Sequence, residues 1–147
     1  IKNNNVLLVD MGVVYDGYHS DLPRAIFLGR MSPLLQKIYK IVRHAQRLGI
    51  RKVGPGVPVR EVDNACRQAI KKAGYERYFG HGTGHGVGLE VHEAPTVSSK
   101  SDTVLEPGMV ITVEPGIYLP GKFGIRIEDM VLITKNGNEV LTRDLDQ

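Results

Sequence analysis

The chain has 147 residues, of which 41% are hydrophobic, and this length and composition are typical of one globular domain. Its net charge is +3 without a run of like charge, which argues against nucleic acid as a partner. No apolar stretch approaches the ~18 residues of a membrane helix, so no membrane partner is expected. The single cysteine, Cys66, fits a reducing compartment, and we expect a cytoplasmic protein in which this thiol is a buried apolar group.

The first elements are predicted to be strands joined by a turn. Residues 6–9 form an apolar run that ends in Asp10, as in a strand buried on both faces. The pair Asp16-Gly17 indicates a turn that returns Asp21 towards Asp10. A carboxylate at the end of an apolar strand is costly to bury unless it is paired or binds a metal. The two acids therefore indicate either a cation site or two solvated strand ends.

Two helices are predicted to follow a strand over residues 24–28. Ser32-Pro33 is typical of a helix start, with a serine N-cap and proline at the first helical position. Apolar residues then recur at helical spacing, and Gly49 is predicted to end this helix. A second amphipathic pattern predicts a helix over residues 58–73. The two helices should pack on one side of a sheet.

A stretch rich in histidine and glycine spans residues 81–93. It contains three of the five histidines and four of the seventeen glycines of the chain. Imidazole is the commonest nitrogen ligand of divalent metals, and glycine lets the backbone approach a ligand closely. Residues 87–92 alternate and predict a strand, which Ala94-Pro95 should end. Taken alone, the stretch could be a metal site or a histidine-rich surface loop.

Two further strands are predicted to carry acids. Residues 109–113 form an apolar strand with Glu114 at its end. The last long strand is predicted over residues 125–133. Because side chains alternate along a strand, Arg126 and Glu128 should share one face.

These acids and a histidine form a candidate metal site. Its members are Asp10, Asp21, one of the histidines, Glu114 and Glu128. Four carboxylates that met would repel each other, and two divalent cations would neutralise them. Ligation mostly by oxygen, with one imidazole, suits manganese, cobalt, zinc or iron better than a structural zinc. Two such ions roughly 3.5–4 Å apart lower the pKa of a bridging water and form a hydrolytic centre.

Four motifs together resemble the pita-bread metallopeptidases, and within them the Xaa-Pro aminopeptidase and prolidase branch. The motifs are Asp10-Met-Gly with Ser20-Asp21, the stretch 81–93, Glu114-Pro-Gly-Ile-Tyr118, and Gly124-Ile-Arg126-Ile-Glu128-Asp. The resemblance covers nearly the whole chain. It implies an α+β pita-bread fold, in which helices cover a curved, mostly antiparallel sheet. Residues 1–147 would form one incomplete catalytic domain without the helices of its first half.

The resemblance also implies a set of metal ligands. Asp10, Asp21, His85, Glu114 and Glu128 would bind two divalent ions, with Mn²⁺ as the first choice and Co²⁺, Zn²⁺ or Fe²⁺ as alternatives. Asp21 and Glu128 would bridge the two ions. Glu114 would in addition accept the proton of the attacking water.

Other residues match positions that act on the substrate or support the centre. His81 and His92 resemble histidines that hydrogen-bond the substrate carbonyl and the developing tetrahedral oxygen. Arg126 and Tyr118 match positions that hold the centre in place. A purely structural role stays open for these four residues. The implied substrate is a peptide with proline at its second position, and a homodimer is a possible assembly.

The chain departs from the family pattern at two positions. Where relatives usually show Ser-Asp-x-Thr-Arg-Thr, this chain has Pro23 and Ala25 in place of the threonines. The loss of both hydroxyls predicts weaker support of Asp21, and with it lower metal affinity or rate. The missing first half further implies that the chain is part of a longer polypeptide.

Three alternatives remain open. A methionine aminopeptidase shares the two aspartates and the histidine motif, but its last ligand usually lies in Glu-His-Thr, whereas Glu128 lies in Arg-Ile-Glu-Asp. A catalytically inactive pita-bread module would bind proteins or nucleic acid, and such modules usually lose metal ligands. A metal-free hydrolase similar to creatinase would also lack most of the five ligands.

Overall fold

A computed structural model of the chain describes residues 3–143 as strands with two long helices. The strands in chain order are β1 (Asn5–Met11), β2 (Val14–Tyr15), β3 (Tyr18–His19), β4 (Leu22–Leu28), β5 (Gly84–Gly86), β6 (Glu93–Val97), β7 (Val110–Val113), β8 (Gly116–Leu119), β9 (Phe123–Arg126), β10 (Asp129–Thr134) and β11 (Gly137–Val140). The helices are α1 (Pro33–Lys52) and α2 (Val59–Lys72), and a short 3₁₀ turn spans Glu76–Tyr78. No described helix is long and apolar enough to cross a membrane.

The N-terminal strands fold back on each other, as predicted. β1 pairs antiparallel with β4, so Asp10 lies opposite Pro23. The hairpin of β2 and β3 lies between them. Its turn residues Asp16 and Gly17 have φ values of 51° and 84°, the left-handed region that Asp-Gly turns favour. The turn brings Asp21 back towards Asp10 and confirms the prediction.

Helix α1 begins as predicted and ends later than predicted. The Ser32 hydroxyl accepts a hydrogen bond from the Leu35 N–H at 3.2 Å, and Pro33 is the first helical residue. The helix continues through Gly49 to Lys52, so the prediction that Gly49 ends it is wrong. A Cβ atom at Gly49 would collide with Cys66 Sγ and lie 2.9 Å from Val113 Cγ1. Glycine is therefore needed here for close packing of α1 on α2 and β7.

The core lies between the two helices and a five-stranded antiparallel sheet with the order β11-β10-β7-β5-β6. Ile38 and Val42 of α1, Val62 of α2 and Ile111 of β7 are fully buried in it. Cys66 is also fully buried, as predicted. Burial of these apolar side chains is the main force that fixes the helices on the sheet. The strands that end beside the candidate site are thereby held in place.

The predicted strand over residues 87–92 is wrong. The Gly88 N–H donates to the Glu90 carbonyl at 3.1 Å, which folds this segment into a local turn, and Leu89 is 65% exposed. The flanking residues pair instead, because β5 and β6 are antiparallel neighbours. The prediction that Pro95 ends a strand is also wrong. Pro95 lies inside β6, at the edge of the sheet, where a residue without an N–H is tolerated.

The single strand predicted over residues 125–133 is divided into β9 and β10. β9 pairs with β8, whereas β10 pairs with β7 and β11. Between them the Ile127 N–H faces the Pro115 carbonyl at 3.5 Å. The chain changes partners at this point, which sequence alternation does not reveal. The side chains of Arg126 and Glu128 still reach the same cavity.

Candidate metal centre

A cavity of about 420 Å³ lies where several strand ends converge. It contains all five predicted metal ligands, although 118 positions separate the first from the last. The residues that line it are Asp10, Met11, Gly12, Ser20, Asp21, His85, Val91, His92, Glu114, Arg126 and Glu128. The fold therefore places the predicted ligands together rather than at separate points of the molecule.

Two groups of potential ligand atoms overlap at His85. Asp21, His85 and His92 form one group, and His85, Glu114 and Glu128 form the other. Within each group the ligand atoms lie within 4.8 Å of one another. The His85 Nε2 atom lies 3.4 Å from Asp21 Oδ2 and 3.2 Å from Glu114 Oε1. Because one imidazole nitrogen binds one ion, the two groups form a single cluster of donors around His85, and the pair of adjacent cations that the motifs imply stays a prediction.

Asp10 and His92 occupy positions that differ in part from the implied roles. Asp10 lines the cavity but belongs to neither group of ligand atoms, and its carboxylate contacts the Arg126 guanidinium. His92, which the resemblance assigns to the substrate, lies in one of the two groups, and its ring centroid is 4.2 Å from that of His85. The assignment of Asp10 as a ligand and of His92 as a substrate contact stays a prediction.

The acids of the cavity strongly perturb each other's protonation. Burial, together with the nearby Glu114 and Asp21 carboxylates, raises the pKa of Glu128 to about 9. Burial opposes a charge on His85, but its hydrogen bonds to Asp21 and Glu114 raise the pKa of the imidazole to about 10. The same hydrogen bond from His85 lowers the pKa of Asp21. In the absence of cations, protons thus neutralise part of the charge that divalent ions would neutralise, so the residues present fit a metal centre.

Arg126 lies among three of the acids. Its Nε atom is 3.5 Å from Glu114 Oε2 and 3.5 Å from Glu128 Oε2, and its terminal nitrogen contacts Asp10. A guanidinium presents donors in a rigid planar fork, so one side chain can restrain several carboxylates at once. The geometry fits a residue that orients metal ligands, as the resemblance implies.

His81 lies beside the cavity and does not line it. Its Nε2 atom is 3.0 Å from the Tyr118 hydroxyl, and its Nδ1 atom is 2.7 Å from the Gly82 carbonyl. Both ring nitrogens therefore have partners that fix the ring plane. The contact joins His81, which the resemblance assigns to the substrate, to Tyr118, which it assigns to support of the centre. Both assignments stay predictions.

Thr112 supports the centre, although no motif of the sequence marks it. Its hydroxyl accepts a hydrogen bond from the His85 N–H at 3.0 Å and donates one to Glu114 Oε1 at 3.0 Å. The side chain is fully buried between β5 and β7. Alternation along β7 places Thr112 on the same face as Glu114, and this was the signal available in the sequence.

Glycine allows β5 to lie this close to β7. A Cβ atom at Gly84 would collide with the Thr112 carbonyl, and it would lie 2.8 Å from the Thr112 hydroxyl oxygen. A larger residue would therefore separate the two strands that carry His85 and Glu114. This close approach explains at least one glycine of the histidine-rich stretch.

The two departures from the family pattern lie in β4. Pro23 is buried opposite Asp10, and the neighbouring Arg24 donates to the Glu128 carbonyl at 3.3 Å. The Asp21 N–H donates to the Met130 thioether sulfur at 3.3 Å, a weak acceptor. The His85 imidazole supports the Asp21 carboxylate. Lower metal affinity from the missing hydroxyls stays a prediction.

Comparisons with known proteins agree with this geometry. Residues 1–135 match metallopeptidase family M24. The chain is 47% identical over 143 residues to the Xaa-Pro dipeptidase of Pyrococcus horikoshii, covering 97% of this chain and 41% of that protein. Prolidase from Pyrococcus furiosus superposes with a TM-score of 0.95 at 46% identity, over 97% of this chain and 42% of that one. The X-Pro aminopeptidase from Thermotoga maritima gives 0.94 at 41% identity, over 97% and 40%.

The chain belongs to metallopeptidase family M24. It has the pita-bread fold and groups with the Xaa-Pro dipeptidase and aminopeptidase P branch. It spans about 40% of the length of the relatives that it matches. The family and the donor set of the cavity together imply divalent metal ions.

Proposed function

We propose that the full-length protein is a dinuclear metal-dependent exopeptidase that cleaves the bond between an N-terminal residue and a following proline. The observation that carries this proposal is the convergence of four carboxylates and the His85 imidazole in a single cavity. The relatives named as Xaa-Pro dipeptidase, prolidase and X-Pro aminopeptidase support the substrate class. Manganese is the metal we expect first, because the donors are mostly oxygens with imidazole.

Asp21, His85, Glu114 and Glu128 would hold the ions, with Asp10 joining them from β1. When bound, two divalent ions supply an activated water at neutral pH and polarise the scissile carbonyl. Glu114 would accept the proton of that water, and the Thr112 hydroxyl keeps its Oε1 atom in a fixed orientation. Arg126 would restrain the carboxylates of Asp10, Glu114 and Glu128.

The two histidines would act on the substrate oxygen. The His92 imidazole lies at the cavity wall and is exposed, so it can donate a hydrogen bond to a bound peptide. The Nε2 atom of His81 lies at the Tyr118 hydroxyl and would exchange this partner for the oxygen on which negative charge develops. A bond to proline has no N–H, and recognition through imidazoles and cations does not require that donor.

Hydrolysis of matched peptides by the full-length, manganese-loaded protein tests the proposal. We expect release of alanine from Ala-Pro or Ala-Pro-Ala and at least ten-fold slower cleavage of Ala-Ala-Ala. The comparison of the two proline peptides distinguishes a dipeptidase from an aminopeptidase. Preferential release of methionine from Met-Ala-Ala would instead assign the protein to the methionine aminopeptidases.

Ligand substitutions provide the controls for this assay. Asp21→Asn and Glu128→Gln should each abolish hydrolysis, because each removes a carboxylate from the shared cavity. Glu139→Gln, at an exposed position on β11, should leave the rate unchanged. Full activity in both ligand variants would disprove the two-metal mechanism. Absence of divalent metal from the wild-type protein at micromolar concentrations would favour the inactive binding module.

A further inference from the structure

An ion pair on α2 contacts the histidine-rich stretch, and neither of its residues lines the cavity. The Arg67 guanidinium binds the Asp63 carboxylate through two nitrogens, at 3.0 and 2.9 Å. Asp63 is fully buried. A buried carboxylate requires such compensation, and a bidentate guanidinium supplies both charge and defined geometry.

Arg67 also binds the backbone on either side of Gly80. Its terminal nitrogens donate to the Phe79 carbonyl at 3.1 Å and to the His81 carbonyl at 2.9 Å. The guanidinium carbon lies 4.4 Å from the centroid of the Phe79 ring, which in turn meets the His81 ring edge to face at 5.1 Å. One side chain of α2 therefore holds both the backbone of His81 and the aromatic ring that its imidazole packs against.

Asp63 extends the same network towards Glu114. Its Oδ1 atom accepts a hydrogen bond from the Thr83 hydroxyl at 2.9 Å. The Thr83 carbonyl accepts from the Glu114 N–H at 2.7 Å, and Thr83 is fully buried. The ion pair is thus connected through one residue to the backbone of the predicted proton acceptor.

We propose that Asp63 and Arg67 are positioning residues, which set the His81 imidazole and the Glu114 backbone for catalysis without touching metal or substrate. This inference rests on the proposed function, because it assigns a role to the orientation of His81 in that reaction. Four groups fix His81, namely Arg67 at its carbonyl, Phe79 at its ring, the Gly82 carbonyl at Nδ1 and the Tyr118 hydroxyl at Nε2. Loss of the Arg67 hydrogen bond should change the loop that carries the His81 ring, whereas the ligand groups around His85 keep their side-chain contacts.

Kinetics of the full-length protein with Ala-Pro-Ala test the inference. Arg67→Lys keeps a positive charge near Asp63 but loses the planar fork, and we expect kcat to fall at least ten-fold with KM changed less than three-fold. Arg67→Met should lower kcat further. Co²⁺ affinity and the visible spectrum of bound Co²⁺ should stay as in the wild type in both variants. Arg60→Lys is the matched control on the same helix, where Arg60 pairs with the exposed Asp102, and it should leave kcat unchanged.

Hydrogen exchange on the same variants provides a readout that needs no activity. We expect faster amide exchange in residues 79–85 of the Arg67→Lys variant and unchanged exchange in β10 and β11. If the wild type hydrolyses no peptide, the proposed function fails, while faster exchange would still support the positioning of the loop. Wild-type kcat together with wild-type exchange in Arg67→Lys would overturn the inference. An equal loss of Co²⁺ affinity would also overturn it, because the pair would then support the metal ligands instead.

Discussion

The Thr112 hydroxyl connects two groups of the candidate metal centre that lie on neighbouring strands. Thr112→Val keeps the shape of the side chain but removes the hydrogen bonds to the His85 N–H and to Glu114 Oε1. Residues that orient metal ligands typically contribute about 10- to 100-fold to metal affinity or activity, and we expect a loss in that range. Manganese titration and peptide hydrolysis by the full-length protein measure it.

Thr96→Val is the matched control for this substitution. Thr96 is exposed on β6 of the same sheet, and its replacement should leave both metal affinity and rate unchanged. Equal effects of the two substitutions would show that Thr112 acts through general stability rather than through the site.

Cys66 should be chemically inert in the folded protein. Burial raises the pKa of its thiol from 9.0 to about 12, and its Sγ atom lies 3.3 Å from the Ala45 carbonyl as a hydrogen-bond donor. Since the thiolate is the reactive form, a thiol reagent at pH 8 should label Cys66 only at the rate of unfolding. Rapid labelling of the native protein would contradict the burial described for α2.

The shifted thiol pKa also sets the direction of a pH effect on stability. Between pH 9 and pH 12 the unfolded chain loses the thiol proton, whereas the folded chain keeps it. The contribution of Cys66 to the free energy of unfolding is therefore complete below pH 9 and decreases as the pH rises towards 12. Cys66→Ala should show a smaller loss of stability over this interval than the wild type, as measured by urea unfolding.

At the scale of elements, the packing of α1 depends on the absence of a side chain at Gly49. Gly49→Ala would place a methyl group against Cys66 Sγ and Val113 Cγ1. Overpacking of a core costs about 1–3 kcal/mol, which exceeds the gain in helix propensity from glycine to alanine. We expect a lower urea midpoint for Gly49→Ala. Cys66→Ala should partly restore it in the double variant, and strict additivity of the two changes would contradict direct contact.

The start of α1 and the N-terminal hairpin could be predicted because their signals are local. Ser32-Pro33 specifies a helix start, and Asp16-Gly17 specifies a turn, through the conformations of those residues alone. The end of α1 could not be predicted. Gly49 has the sequence appearance of a helix cap, and only the proximity of α2 and β7 shows that it serves close packing.

The wrong strand predictions also arise where contacts between distant segments, rather than local sequence, determine the structure. Residues 87–92 alternate like a strand. In the sheet, however, β5 lies between β7 and β6, and the segment that connects β5 to β6 forms a turn. The division between β9 and β10 depends on a change of partner strand. The ligand positions could be predicted from motif and strand-end chemistry. The bonds of Thr112 to His85 and of Arg67 to His81 could not, because these partners are distant in sequence.

At the scale of the whole molecule, the cavity lies between β1, the segment that precedes β4, the strands β5 and β7, and the junction of β9 with β10. Ions bound at such a junction should stabilise the fold, since they bind the native arrangement of ligands and not the unfolded chain. At a manganese concentration 100 times the dissociation constant, the expected stabilisation is about 2.7 kcal/mol. Removal of metal by a chelator should lower the melting temperature of the full-length protein by several degrees.

A ligand variant separates this effect from general salt effects. Glu128→Gln should have the same melting temperature with and without manganese, because it removes a buried carboxylate of the cavity. A manganese-dependent rise in Glu128→Gln equal to that of the wild type would place the stabilising ion elsewhere.

The most direct measurement is the anomalous scattering of manganese in crystals of the full-length protein. We expect two peaks roughly 3.5–4 Å apart in the cavity, with Asp21 and Glu128 beside both, Asp10 beside one, and His85 and Glu114 beside the other. Crystals grown with saturating manganese that show no peak among these residues would contradict this expectation.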